Sequence, residues 1–365
     1  MKRTFKPEPN ILMRKTLIVL GILLWGLSQG KAQQLPLYSQ YVENGFLLNP
    51  AMAGSRMYSP LRLSLRQQWA GVEGAPETQA LSFNKNLGNK CTTCNVVGNP
   101  LARRNKQRGV GVGGYFFNDK SGAVSRTGLE LSYSYHLQLT RTRLGQSGTK
   151  LAFGLGGVFY QYKFDGRDIP VNDPLYTGTD EVSYVPDANF GVYLYNDNYF
   201  AGLSAVHLFE SSVRLGDNIS NDGVMLRHFY ATAGYTFHLR DLIDLEPSVI
   251  VRKTMDSDMY YDVTMKLYIN HFWMAASYRT NDQIVGMIGV NYNQYYIGYS
   301  YDHYTDNLIA DSSNGTHEIT LGINFDIPNK MKRETRQRER RAADRNFSRT
   351  KTRRIKRQSK SYIFF

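Results

Sequence analysis

From about residue 60 onward, apolar and polar side chains alternate along the chain with a period of two. In segment 316–326 one parity holds His317, Ile319, Leu321, Ile323 and Phe325, and the other holds Glu318, Thr320, Gly322 and Asn324. A β-strand sends successive side chains to opposite faces, so this segment predicts a strand with one apolar face and one small or polar face. Segment 295–302 repeats the pattern, with Tyr295, Ile297, Tyr299 and Tyr301 opposing Tyr296, Gly298, Ser300 and Asp302. So does 128–139, where Leu129, Leu131, Tyr133, Tyr135, Leu137 and Leu139 oppose Glu130, Ser132, Ser134, His136 and Gln138. The same reading places strands near 61–70, 78–86, 109–118, 126–139, 150–162, 186–195 and 198–207. Seven more follow near 227–239, 244–254, 258–268, 270–279, 282–291, 294–303 and 316–326. At about 9–13 residues the clearest of these exceed the usual strand of a soluble sheet and match a tilted strand crossing a bilayer.

The connections sort by parity. The long ones, 163–185, 208–226 and 304–315, follow the fifth, seventh and thirteenth strands, whereas those after the sixth, eighth, tenth and twelfth are tight, as at Asn196-Asp197 and Asn293. Stretch 87–108, after the second strand, is the exception. Outer-membrane barrels alternate short inner turns with longer outer loops and close with an even strand number; a soluble β-sandwich has no reason to do so. The pattern therefore predicts an all-β chain forming a single transmembrane β-barrel of about 14 antiparallel strands over 61–327. A short N-terminal segment, 33–60, is expected at or in the barrel mouth, and a disordered basic tail over 328–365.

Composition and charge agree. Tyrosine counts 26 and glycine 32, which suits strands and turns. The formal charge of +13 suggests a nucleic-acid partner until it is divided along the chain. The first 32 residues hold six basic residues against one acidic, residues 330–365 hold fifteen against three, and the body between them is mildly acidic. Lys2, Arg3, Lys6, Arg14 and Lys15 precede an apolar run from Leu17 to Leu27, and Gly30-Lys31-Ala32 supplies a small-x-small cleavage site. That arrangement predicts a secretory signal peptide over 1–32 and a mature chain starting near Gln33. The tail, with Arg340-Arg341, Arg353-Arg354 and Lys356-Arg357, is a charge block that resists folding alone. By strand parity it emerges in the periplasm, where an acidic protein or an anionic lipid face would attract it and nucleic acid is not a partner.

The most distinctive residues lie between the cleavage site and the second strand. They read Tyr38-Ser39-Gln40-Tyr41, then Leu48-Asn49-Pro50-Ala51-Met52-Ala53-Gly54-Ser55, then Arg66-Gln67-Gln68-Trp69-Ala70-Gly71 and Gly74-Ala75-Pro76-Glu77-Thr78. On physical grounds 40–48 predicts a short helix that Asn49-Pro50 ends, Gly54 supplies a positive φ where the chain enters the first strand, and 71–76 forms an outer hairpin. In order and spacing these elements resemble the PorP/SprF family, outer-membrane components of the type IX secretion system of Bacteroidetes. The resemblance implies a non-catalytic barrel that assists the export or surface attachment of cargo proteins, in contact with other secretion components and outer-membrane lipid. It marks Gln40, Tyr41, Asn49, Pro50, Gly54, Arg66, Trp69, Gly71, Gly74, Pro76 and Thr78 as structural or partner-binding positions. The 87–108 stretch and the long basic tail depart from the family pattern.

Other candidate chemistry is sparse. Cys91 and Cys94 form one C-x-x-C in a polar loop; without a second pair they do not make a zinc site, and in an oxidising compartment they would form a local disulfide. Arg103, Arg104, Lys106 and Arg108 add a basic run of the kind that is usually a solvated face. His136 falls on the polar parity of its strand and so faces the lumen. The glycines of 109–114 lack the Lys-Ser/Thr of a phosphate loop and are expected to relieve crowding where the barrel bends. No catalytic triad, paired-carboxylate site or cofactor motif is present in the sequence. The competing reading is an outer-membrane porin or small-solute transporter, since fourteen strands enclose a channel unless the 33–60 segment fills it.

Overall fold

The computed structural model describes residues 39–88, 108–140, 148–165, 180–213, 223–255, 258–280, 283–305, 312–329, 335 and 337–341. The predicted signal peptide, the 91–94 cysteine pair and most of the basic tail lie outside these residues.

Fourteen antiparallel strands close on themselves. They are β1 (Ser59–Gln67), β2 (Glu77–Asn86), β3 (Arg108–Ser121), β4 (Val124–Gln138), β5 (Lys150–Asp165), β6 (Asp180–Tyr195) and β7 (Tyr199–Val206). Then come β8 (His228–Tyr235, continued by Phe237–Arg240), β9 (Ile243–Thr254), β10 (Tyr260–Ile269), β11 (Phe272–Arg279), β12 (Gln283–Tyr292), β13 (Tyr295–Tyr304) and β14 (Thr316–Phe325). Neighbours in sequence pair with neighbours in space, and β1 pairs β14 from Ser59↔Phe325 to Gln67↔His317 to complete the cylinder. Closure leaves no sheet edge for the bilayer to desolvate. A two-residue ribbon, Ser212–Val213 with Gly223–Val224, lies in the β7–β8 connection.

The parity predicted from sequence is the parity observed. In β14, Ile319, Leu321 and Phe325 are exposed while Glu318 and Thr320 are buried; in β4, Leu129, Leu131 and Tyr133 face out while Glu130, Ser132, Ser134 and His136 face in. The outer surface carries an aliphatic middle, including Leu81, Leu131, Leu155, Met265 and Ile288. Near the tight-turn end it carries aromatics, among them Phe237, Phe272, Tyr292, Tyr295 and Phe325. An apolar band edged by aromatic rings is the dress of a barrel in lipid. Among the described residues no helix is long and apolar enough to cross a membrane.

Three details differ from the sequence reading. Strands β5 and β6 each extend beyond the predicted ends and rise past their neighbours, because the 163–185 connection continues the ladder as far as Asp165↔Asp180. Loop sorting is looser than expected: β3 and β4 join through the tight Gly122–Ala123 turn at the long-loop end, while 139–149 lengthens the opposite end. And 40–48 is not one helix. It forms short 3-10 turns, Ser39–Val42 and Gly45–Leu47, followed by a third, Pro50–Met52, which Asn49-Pro50 starts instead of ending a helix. The Asn49 side chain accepts from Ala51 N at 2.9 Å, capping that third turn, and Pro50 takes a first-turn position where its missing N–H costs nothing.

Candidate functional site

The three turns do not sit beside the barrel; they pass through its lumen. Ser39 lies toward the long-loop end, among residues of β1, β13 and β14, and the segment descends to the tight-turn end before Gly54, at φ +67, turns it into β1. Ser39, Gln40, Tyr41, Phe46, Asn49, Ala51 and Ala53 are all buried. Since strands alternate lipid-facing apolar with lumen-facing polar side chains, the wall offers this plug a nearly continuous set of hydrogen-bonding partners.

At the upper end the partners are charged. Arg66 (β1) donates to Asp302 (β13) at 3.1 Å, to Glu318 (β14) at 3.3 Å and to Ser39 Oγ at 2.6 Å. Ser39 returns its own bonds, Oγ to the Asp302 carboxylate at 2.6 Å and backbone N–H to Glu318 at 2.6 Å. Arg279 (β11) extends the network, with Nε to Asp262 at 2.8 Å and Nη1 to Asp302 at 3.2 Å. These ionic side chains are 6 % exposed or less. Charges this deep persist only when paired and hydrogen-bonded. The network therefore fixes one position for Ser39 and the plug beneath it. Gln40 is held between the Glu318 carbonyl and the Tyr296 hydroxyl, 3.3 and 3.2 Å away. The Tyr41 hydroxyl meets Thr264 at 3.3 Å.

Lower down, the plug touches the opposite walls. Glu43 forms a buried ion pair with Lys266, whose ammonium also stands over the Tyr268 and Trp273 rings at 4.4 and 4.5 Å. Asn44 donates to Ser82 at 2.7 Å. Asn49 Nδ2 donates to the carbonyls of Val192 and Leu203, bridging β6 and β7, and Ser204 donates to the Leu48 carbonyl at 2.6 Å. Ser134 and His136 both donate to the Ala53 carbonyl, at 2.6 and 2.8 Å, while Tyr195 lies 3.0 Å from the other ring nitrogen of His136. Gly54 is clamped from both sides by Asn84 and Asn86. Two wall glycines make room for this backbone. A Cβ on Gly111 would meet the Ala53 carbonyl, and one on Gly154 would meet the backbone of Ala51. Within 109–114, Gly111 and Gly113 thus serve close approach of the plug, Gly113 to the Phe46 ring, whereas Gly109 and Gly114 face wall residues.

The remaining motif residues build the first hairpin at the long-loop end. Trp69 leaves β1 at φ +49, its N–H donating to Thr316 Oγ1 at 3.2 Å and its ring 6.4 Å from that of Tyr304. Ala70 exchanges backbone bonds with Asn314 and Gly315, and Gly71 and Gly74 take the positive φ values the turn requires. Pro76 accepts from Gln68 N at 2.9 Å, and Thr78 donates to Asp119 at 2.7 Å. The hairpin folds over the strand ends that carry Asp302 and Glu318. Two groups therefore emerge from the predicted positions: Gln40, Tyr41, Asn49, Pro50, Gly54 and Arg66 form or hold the plug, while Trp69, Gly71, Gly74, Pro76 and Thr78 shape the hairpin above it.

A family model described as type IX secretion system membrane protein PorP/SprF matches residues 30–323. The chain belongs to this family. No curated protein sequence matches it. Solved structures with some likeness include the toluene transporter TbuX of Ralstonia pickettii, at 8 % identity and TM-score 0.42, covering 77 % of this chain and 92 % of that one. A Pseudomonas aeruginosa FadL homologue has 9 % identity and TM-score 0.41, with 83 % and 97 % covered. The translocator domain of the autotransporter NalP from Neisseria meningitidis has 10 % identity and TM-score 0.35, with 86 % and 97 % covered. Likeness this loose transfers nothing about transport to this family member.

Sequence reasoning missed the charged groups around the plug other than Arg66: Glu43, Asp262, Lys266, Arg279, Asp302 and Glu318. A usable signal existed. Five of the six lie in predicted strands on the parity opposite the lipid face, where an ionisable side chain needs a partner.

Proposed function

We propose that this chain serves the type IX secretion machinery as a plugged, non-catalytic barrel acting by protein–protein contact. The observation that carries this reading is the buried segment 39–54 inside the lumen, bonded to the wall at both ends and on opposite sides. A conduit for small solutes needs that space open. With residues 1–32 as a signal peptide and 61–327 as the barrel, an even strand number starts and ends the barrel on one side. That puts the tight turns and the basic tail in the periplasm, while the Ser39 end of the plug points toward the long loops. The turns and the tail would meet other secretion components, and the long loops with the Trp69 hairpin would meet cargo at the cell surface.

The test separates contact from conduction. Asn44 and Ser82, hydrogen-bonded across the plug–wall boundary, are replaced by cysteine in a chain carrying Cys91→Ser and Cys94→Ser, then bridged by a short bifunctional thiol reagent in a strain lacking the native protein. The bridged barrel is expected to restore cargo export as well as the unbridged one. Export lost on bridging and recovered on cleaving the bridge would mean that the plug must leave, and the contact reading would fail.

A further inference from the structure

A closed barrel is convex outside, yet one panel of this wall is hollow. Across β6–β9 one register row reads Leu194, Ala201, Ala233 and Val249, and in the next row outward Ala231 sits between Leu203 and Val251. These positions share the lipid-facing parity, with Ala201, Leu203 and Ala233 exposed. Over the alanines lies a depression of about 310 Å³. Apart from Gly202 and Thr232, which belong to the inner parity, its lining is valine, leucine and alanine alone.

Small residues on the two faces of this panel have different causes. Inside, Gly191 and Gly202 face the plug, and a Cβ on either would meet the Asn49 side chain. Outside, the depression is lined by β6–β9 only, so the plug that accounts for the glycines does not account for the alanines. In a bilayer an apolar hollow is filled by hydrocarbon or by apolar side chains. Its floor spans only β7 and β8, whose axes lie about 5 Å apart. A helix with its side chains is roughly 10–12 Å across and cannot reach that floor. A second barrel is itself convex. One extended hydrocarbon chain is narrow enough.

The two ends of the groove give that chain a direction. At the inner end Tyr199 pairs with Tyr235, closing the groove with rings. At the outer end Lys253 is the next lipid-facing position on β9 after Val251; it is exposed and pairs with Phe229. Lys253 stands ten residues from Ile243, where β9 begins. At about 3.3 Å per residue and a tilt of about 40°, that rise is about 25 Å, the height of a barrel's apolar band. The ammonium therefore sits at the outer interface, where an anionic headgroup complements it.

We propose that the groove over β7 and β8 holds one acyl chain of a phosphorylated outer-leaflet glycolipid, lipid A, with its phosphate drawn to Lys253. The choice of leaflet rests on the periplasmic tight turns of the reading above; the groove does not. The full chain, purified in detergent and stripped of its native lipid, is offered bis-phosphorylated lipid A, phosphatidylglycerol or phosphatidylcholine. Native mass spectrometry counts what each barrel retains.

One lipid A per barrel is expected to survive conditions that strip the other two lipids. Lys253→Gln should weaken its retention about fivefold, the scale of one cation at a membrane surface. Ala201→Phe with Ala233→Phe fills the floor and should abolish retention, whereas Ile288→Phe, elsewhere on the lipid face, should leave it unchanged. Heat-modified gel mobility confirms that each barrel is intact. Parental retention in the folded double variant would overturn the groove. Should that variant fail to fold, parental retention in Lys253→Gln would overturn the phosphate contact. Phosphatidylglycerol held as firmly as lipid A would overturn the choice of lipid, and a barrel dimer that the double variant abolishes would replace lipid with a second copy.

Discussion

Replacing Arg66 by alanine separates the plug from the barrel that holds it. Arg66 offers one guanidinium to two carboxylates and to Ser39 Oγ, with the ionic side chains 4 % exposed or less. Removing one partner of a buried pair costs about 3–5 kcal/mol, because the remaining charge stays buried without compensation. Arg279 still reaches Asp302 at 3.2 Å, so the lower figure, about 3 kcal/mol, is appropriate. The cost falls unequally on the two states. With the plug withdrawn, water reaches Asp302 and Glu318; with the plug docked, it does not. The docked state therefore bears nearly the whole penalty, and its advantage over the withdrawn state shrinks by roughly 150-fold at about 1.4 kcal/mol per decade. Amide hydrogen exchange reads this directly. Peptides covering 44–53 should lose protection by two orders of magnitude in Arg66→Ala, while β4 and β5 peptides keep theirs. Arg66→Lys should lose less, since an ammonium keeps the charge but does not span both carboxylates as a planar fork does. If plug amides exchange at the parental rate in a folded Arg66→Ala barrel, the charged network does not hold the plug.

Three further outcomes are expected. Gly154→Val puts a branched side chain where the Ala51 backbone runs, so the barrel should form while the plug is displaced, seen as conductance steps absent from the parent protein. His136→Ala removes a donor to the Ala53 carbonyl and the partner of Tyr195; a loss of about 1–3 kcal/mol is expected in plug protection, little of it in barrel melting. Leu131→Arg places a charge at the middle of β4 on the lipid face, where Leu131 is 65 % exposed; refolding into bilayers should show about 2–4 kcal/mol of destabilisation, and a result near zero would mean that this face does not meet hydrocarbon.

Much of the barrel is legible in the sequence because its two solvents impose a local rule. Lipid outside and a polar lumen inside force alternation within each strand, and a strand such as 316–325 announces both faces without reference to the rest of the chain. Tight turns are local too, so Asn196-Asp197 and Asn293 mark their ends correctly. The plug is legible only as a terminal segment at or in the barrel mouth. Its purpose depends on partners far away in sequence: Arg66 meets Asp302 across 236 residues and Ser39 meets Glu318 across 279. No periodicity carries such a pairing. Asn49-Pro50 misleads for a related reason. In isolation the pair reads as a helix stop, but here Asn49 bonds to its own turn and to carbonyls on β6 and β7, so the tertiary bonds select a cap over a terminator. Gly111 misleads in the same way, its constraint coming from a carbonyl of the plug and not from its own strand.

The central claim is that the barrel is closed by its own residues 39–54. Planar-bilayer recording of the purified full chain, beside a variant lacking 39–54, tests it most directly. The account predicts no steady conductance from the full chain and stable open steps from the deletion. Steady open conductance from the intact, folded chain would contradict it.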